Sequence, residues 1–405
     1  MSPHSFAFAL MLGALAALPS FGIDMSLPAL DAIGASLGVS AGSAGLTISL
    51  FMIGYAVAPP FCGPVSDRIG RKPIVLGAVT LFAAASLGCT FAHALPELLG
   101  WRVLQGMGAG VATTTTFAII QDSFDGPDGR AKISDLASLM LFVPMVAPAA
   151  GTALLAIHGW RAIHGLLAIV GCALLGIVWR FFAESAGLDH AERLSPAAIW
   201  RSYVRVLRDP VCLGYILVNA AAFGVLFAYI SGSSLFFIDE LDLSRDQYSL
   251  LYAATFIGIM VSVIANGRLS RWNVAPAYLL GAGIALALCS AVAFLVAVLA
   301  GWSWVPGLAA ILVLGTMGFG LIAPNAVHGA MQRLPSQAGA VSAMAGFIQV
   351  ITQSMVSVLV VSFNGHIPGM PMAVVMMVCS IGALFAYRRI ARPAEANAAL
   401  ASGRI

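Results

Sequence analysis

Two ionisable side chains stand where the surrounding sequence offers no water. Asp24 closes a long uncharged run that begins at Phe6, and Arg102 lies inside the apolar stretch 97–119. A charge within a membrane-spanning helix is costly and is expected to face a bundle interior or a cavity. Two simpler placements stay open at this point: Asp24 as a carboxylate at the membrane edge, and Arg102 extending its side chain to the outer interface. If the two groups share a cavity, burial disfavours the charged carboxyl while a nearby guanidinium favours it. Such opposed influences suit a group that takes up and releases protons. Other polar residues within apolar runs are Tyr55, Thr113, Thr116, Asn219, Tyr229, Tyr252, Asn325, Gln349 and Gln353. Together they fit a mostly apolar pocket with few polar contacts, as an amphipathic small molecule would need. Each one alone is closer to a helix-packing polar residue than to a ligand contact.

The elements that must position these groups follow from composition. Of 405 residues, 60% are hydrophobic and 9% charged, against about 25% charged in an average soluble domain. That contrast argues against a cytosolic enzyme, a nucleic-acid binder or a secreted disulfide scaffold. The apolar inventory matches about twelve helices of roughly 20 residues each. Apolar runs recur near 6–29, 44–65, 73–92, 97–119, 133–156, 162–183, 211–237, 247–266, 276–300, 303–324, 337–362 and 371–390. The expectation is an all-α membrane protein of twelve transmembrane helices. The alternating ten-residue pattern of a β-barrel is absent. The first run lacks a preceding Lys or Arg and continues past Phe21, so it reads as a retained helix and not as a cleaved leader.

Of the 20 Lys and Arg residues, all but Arg102, Arg161 and Arg245 fall in alternate loops, the span edges beside them, or the C-terminal tail. Positive residues stay cytoplasmic, which places both termini in the cytoplasm. The polar segment 184–209 divides the chain into halves, 1–183 and 210–390, with a tail at 391–405. Its second part, from Pro196 to Arg208, reads as a linker or as a surface helix with Trp200 and Tyr203 at the lipid boundary. A basic pair recurs at equivalent positions, Asp67-Arg68-Ile69-Gly70-Arg71 after the second span and Gly267-Arg268-Leu269-Ser270-Arg271 after the eighth. Two pseudo-symmetric six-helix halves of this kind form a transporter architecture, with the substrate site near the midplane.

Gly63-Pro64-Val65-Ser66-Asp67-Arg68-Ile69-Gly70-Arg71-Lys72 matches the G-x-x-x-D-R-x-G-R-[KR] loop of the major facilitator superfamily. The chain resembles that superfamily here and again at Arg102-Val-Leu-Gln105-Gly106-Met-Gly108. In such proteins the loop acts as a conformational latch, which implies gating roles for Gly63, Asp67, Arg68, Gly70, Arg71 and Lys72. Pro144 and the segment Ala147-Pro148-Ala149-Ala150-Gly151 resemble the exporter-associated G-P-x-x-G-G motif in its A-P-x-x-G variant. Pro144, Pro148 and Gly151 are then expected to let the fifth span bend and slide. Asp24-Met25-Ser26-Leu27-Pro28-Ala29-Leu30 and Phe227-Ala-Tyr229-Ile-Ser231-Gly232-Ser233 resemble the bicyclomycin- and chloramphenicol-resistance (Bcr/CflA) branch.

The resemblance implies a proton-coupled antiporter of the bacterial inner membrane that exports small drugs or secondary metabolites as a monomer. Asp24 and Arg102 would couple protons, and Asp24, Tyr55, Thr113, Asn219, Tyr229, Tyr252, Gln349 and Gln353 would contact substrate. A metabolite exporter, a proton-coupled importer on the same fold and a non-transporting receptor are the alternatives. Some relatives carry a further acid deeper in the first span, where this chain has Leu15, Ala16 and Ala17. The six cysteines form no C-x-x-C pair and the histidines no metal spacing, so they read as packing residues. No phosphate-binding loop or catalytic triad is present, so neither ATP, nucleic acid, a cofactor, a metal nor enzymatic catalysis is expected.

Overall fold

The computed structural model describes residues 5–59, 62, 65, 66, 69–124, 126–184, 196–334, 337–363 and 369–393. All regular structure among them is helical: α1 (Phe6–Asp24), α2 (Leu30–Leu37), α3 (Ala41–Val57), α4 (Arg71–Phe91), α5 (Leu95–Ser123), α6 (Gly126–His158) and α7 (Trp160–Phe181) come first. They are followed by α8 (Pro196–Arg208), α9 (Pro210–Ser234), α10 (Arg245–Arg271), α11 (Pro276–Leu299), α12 (Val305–Arg333), α13 (Ala338–Ser362) and α14 (Met370–Phe385). Eleven segments among the described residues are long and apolar enough to cross a membrane, and α3 is a shorter apolar helix of 17 residues. Together they account for the twelve expected spans.

Local chemistry sets the helix boundaries. Ser5 and Ser40 cap α1 and α3 by accepting from Phe8 N and Ser43 N, supplying acceptors for otherwise orphaned donors. Helices α5, α11, α12 and α14 carry proline in their first turn, where its missing N–H has no cost. The first span does not run unbroken to residue 29. Helix α1 ends at Asp24 and a single 3₁₀ turn follows at Leu27–Ala29, because Pro28 has no N–H to continue the ladder. Asp31 lies in the first turn of α2.

The chain forms two compact units, one comprising Met1–Glu192 with Ser234–Ala253, the other Arg193–Ser233 with Ala254–Ile405. In the first, α5 packs along α3, α4 and α1, while α1 also packs on α6 and α4 on α7. In the second, α11 packs along α12 and α14, and α13 lies against α8. The segment Leu235–Glu240 belongs to the first unit and touches α2 and α3.

Candidate functional site

Asp24 sits at the last position of α1 and is 4% exposed. Its Oδ1 accepts a 2.7 Å hydrogen bond from the hydroxyl of Tyr252, which is itself fully buried and lies within the same compact unit. A hydroxyl donating to a carboxyl in a dry interior is a strong contact, because water does not compete for either partner. Backbone packing holds this end of α1 in place. Gly151 lies against the Met25 carbonyl, and a Cβ at residue 151 would overlap it. Its neighbour Thr152 shares a 3.2 Å hydrogen bond with Ser249. Pro144 and Pro148, both buried, lie within a continuous α6.

Arg102 is 0% exposed, which rules out the reading in which it extends to the interface. Its Nε donates to Thr47 O at 3.1 Å, and its Nη1 to Gly22 O at 2.9 Å and Gln105 Oε1 at 2.7 Å. The guanidinium carbon lies 4.6 Å from the centre of the Phe51 ring, a cation–π arrangement. Gln105 passes the chain on through Nε2 to Ser86 Oγ at 2.7 Å, and Ser86 Oγ donates to Phe82 O. Arg102 therefore ties together α1, α3 and its own helix, with α4 one residue further on. It makes no ion pair with Asp24 among the described residues, although it binds the carbonyl two residues before it. Its Nη2 is buried without a hydrogen-bond partner among the described residues.

The other sequence-predicted residues divide between the two units. Tyr55 is half-buried beside the buried Thr113 in the first. In the second, Asn219 Nδ2 donates to Gln349 Oε1 at 3.2 Å, and Gln353 is buried one turn along α13. Tyr229 is fully buried and accepts from Thr255 Oγ1 at 3.2 Å, while Thr316 Oγ1 donates to the Thr255 carbonyl. Asn325 is tied to Asn266 at 2.6 Å.

Ser66, Gly70, Arg71 and Lys72 of the basic loop are described; Gly63, Asp67 and Arg68 lie outside the described residues. Gly70 has φ +100° and precedes α4. That left-handed backbone conformation requires glycine there, and a Cβ would also press on the Glu184 carboxylate. Glu184 accepts from Arg71 N at 2.7 Å and Lys72 N at 3.1 Å, placing a carboxylate on the positive end of α4. Arg71 donates through Nε to Asp122 Oδ2 at 2.7 Å and through Nη1 to Ser66 Oγ at 2.9 Å. Asp122 and Glu184 are not among the sequence-predicted site residues; their signal is a carboxylate at the end of a span. Replacing Glu184 with Ala removes both acceptors from the α4 N-terminus, a loss of about 1 kcal/mol. Amide exchange at Arg71 and Lys72 should accelerate about fivefold; unchanged exchange would remove Glu184 as a cap.

A second acidic–basic contact lies just beyond the end of α1 that carries Asp24. Arg245 Nη2 donates to Asp31 Oδ2 at 2.5 Å, and its Nε donates to Pro28 O at 3.1 Å. The sequence offered Arg245 only as an exception to the charge pattern.

Comparison with known proteins gives a consistent result. The model of the Major Facilitator Superfamily matches residues 10–357. A bicyclomycin resistance protein homolog from Haemophilus influenzae is 26% identical over 387 residues, 95% of this chain and 96% of that protein. A chloramphenicol resistance protein from Pseudomonas aeruginosa is 29% identical over 84% of this chain and 80% of its own. Among solved structures, an inward-facing bacterial homolog of the human lysosomal transporter Spinster superposes with a TM-score of 0.75. It is 15% identical, over 97% of this chain and 98% of its own. The xylose transporter XylE from E. coli superposes with a TM-score of 0.72 at 15% identity, over 95% of this chain and 98% of its own.

Proposed function

Because the chain belongs to the major facilitator superfamily, we propose that it is a proton-coupled antiporter exporting small amphipathic drugs or secondary metabolites by alternating access. The observation that carries this reading is the buried carboxyl of Asp24, held by the Tyr252 hydroxyl. A buried carboxyl held by a hydroxyl donor and, among the described residues, in no ion pair can be occupied by a proton and vacated again. Arg102, which donates to the Gly22 carbonyl two residues before Asp24, tunes that exchange by holding this end of α1 in place. Drug-resistance names among relatives aligned over most of the chain support the substrate class.

In this reading residues 1–183 and 210–390 are the two six-helix halves, joined by a cytoplasmic linker at 184–209 and followed by a cytoplasmic tail at 391–405. Tyr55, Thr113, Asn219, Tyr229, Gln349 and Gln353 face the substrate path together with Asp24 and Tyr252. The segment from Gly63 to Lys72, with Pro144, Pro148 and Gly151, governs opening. The protein works as a monomer in the bacterial inner membrane, without ATP, nucleic acid, cofactor or catalysis.

Everted membrane vesicles test the proposal. With the lumen acidified, adding bicyclomycin or chloramphenicol should release luminal protons and accumulate the drug, and collapsing the pH gradient should stop accumulation. Drug uptake that persists without a gradient, or drug movement in the same direction as the protons, would overturn antiport.

A further inference from the structure

Helix α10 presents two unlike faces along its second half. Ile259, Ser262 and Asn266 are buried, and Asn266 accepts from Asn325 of α12. Another face carries Val261, Ile264, Ala265, Arg268, Leu269 and Trp272, which line an open cavity of about 470 Å³. Their spacing of i, i+3, i+4, i+7, i+8 and i+11 makes one continuous stripe. Val261, Ile264 and Trp272 are 47%, 50% and 74% exposed, a surface that a membrane span turns toward acyl chains. From residue 261 to 272 the helix rises about 16 Å, one leaflet's share of a hydrocarbon core about 30 Å thick.

The end of the helix fixes the indole in place. Trp272 N donates to Leu269 O at 3.0 Å and Val274 N to the same carbonyl at 3.1 Å. Asn273 between them has φ +59°, which closes a left-handed C-terminal cap. Tyr278, 77% exposed in the first turn of α11, is a second aromatic at this end, as at a membrane–water interface. Arg268 and Arg271 stand one turn apart at the same level, and both are exposed. From residue 254 to 394 the chain contains no Asp or Glu. The second unit has two acids, Asp209 and Glu395. Asp209 is engaged by Arg333 and by the amides of Val211 and Cys212, and Glu395 lies outside the described residues. Among the described residues neither Arg268 nor Arg271 forms an ion pair.

We infer that this stripe of α10 binds an anionic phospholipid, with an acyl chain along Val261, Ile264 and Leu269 and the headgroup phosphate on Arg268 and Arg271. A free phosphate would satisfy the arginines but leave the apolar stripe and Trp272 without a partner. A second copy packed symmetrically would cover the stripe but set like charges against each other. A basic residue close to an anionic membrane surface contributes about fivefold to the attraction. The inference rests on the membrane location of the chain and not on what it transports.

The test uses the full protein in phosphatidylcholine vesicles, part of whose lipid is either brominated phosphatidylglycerol or brominated phosphatidylcholine at equal mole fraction. The emission of Trp272 is obtained as the difference between the wild type and Trp272→Phe. Phosphatidylglycerol should quench it saturably, with a midpoint at about fivefold lower mole fraction than phosphatidylcholine at least. Inorganic phosphate added at constant ionic strength should leave that quenching unchanged. The variant R268Q/R271Q should be quenched equally by both lipids, and R268K/R271K should keep the preference, which separates charge from folding. Equal quenching of the wild type by both lipids would show an ordinary lipid-facing surface without headgroup selection. Reversal by inorganic phosphate would assign the arginines to a free anion. Absence of quenching by either lipid would place the stripe against a second copy or another protein. Each of these results overturns the proposal, as does a glutamine variant that keeps the preference.

Discussion

Asp24→Asn is expected to abolish pH-gradient-driven efflux while leaving the protein folded in the membrane. Asparagine has nearly the same shape, and its carbonyl oxygen accepts from a hydroxyl as the carboxyl does. The 2.7 Å contact with Tyr252 and the packing of α1 against Gly151 are thus retained, and only proton exchange is lost. The thermal transition should move by only about 2–4 °C, the shift that a 1 kcal/mol change gives in a mid-sized domain. Drug-driven proton release should fall to the level of vesicles lacking the protein. Downhill drug exchange across the membrane, which needs no net proton movement, should survive. Unchanged proton-coupled flux would remove Asp24 from the coupling step, and a protein that fails to accumulate would show a structural role. Measuring exchange and accumulation on the same preparation separates these outcomes.

The sequence disclosed the features whose causes are local or periodic. Apolar runs of span length gave the helices, because backbone groups in lipid must be satisfied within each segment. The isolated arginine at 102 marked an inward-facing charge. The partners of this residue and of Asp24 were not legible. Arg102 is held mainly by the carbonyls of Thr47 and Gly22, and a backbone carbonyl has no residue type to betray it. Tyr252 reaches Asp24 from far along the chain, a pairing that only folding creates. Tyr229 likewise reads as a cavity residue, and Thr255, which donates to its hydroxyl, carries no signal of that pairing in the sequence. The early end of α1 was signalled by Pro28 but masked by the apolar character of the residues around it.

Arg102→Lys should be more damaging to stability than Arg102→Met, although lysine is the closer match in charge. The guanidinium serves acceptors on α1, α3 and α5 from two nitrogens, and its flat face lies over Phe51. Methionine removes the donors, leaving Gln105 Oε1 without its partner, but it also removes the burden of a desolvated charge. Hydrogen bonds to a charged group are worth about 1.5–3 kcal/mol each, yet apolar replacement of a buried ion often recovers much of that. A net loss of about 1–2 kcal/mol is therefore expected for methionine. Lysine keeps the charge and loses the fork geometry. One ammonium cannot reach the same three acceptors, so a poorly satisfied charge stays in a dry site at a cost of about 3 kcal/mol or more. Thermal unfolding in detergent should rank the wild type first, then methionine, then lysine. Both variants should lose coupled transport, since the end of α1 that carries Asp24 is no longer tied to α3 and α5. A lysine variant as stable and as active as the wild type would mean that charge alone matters at this position, and that the carbonyl contacts of the guanidinium are dispensable.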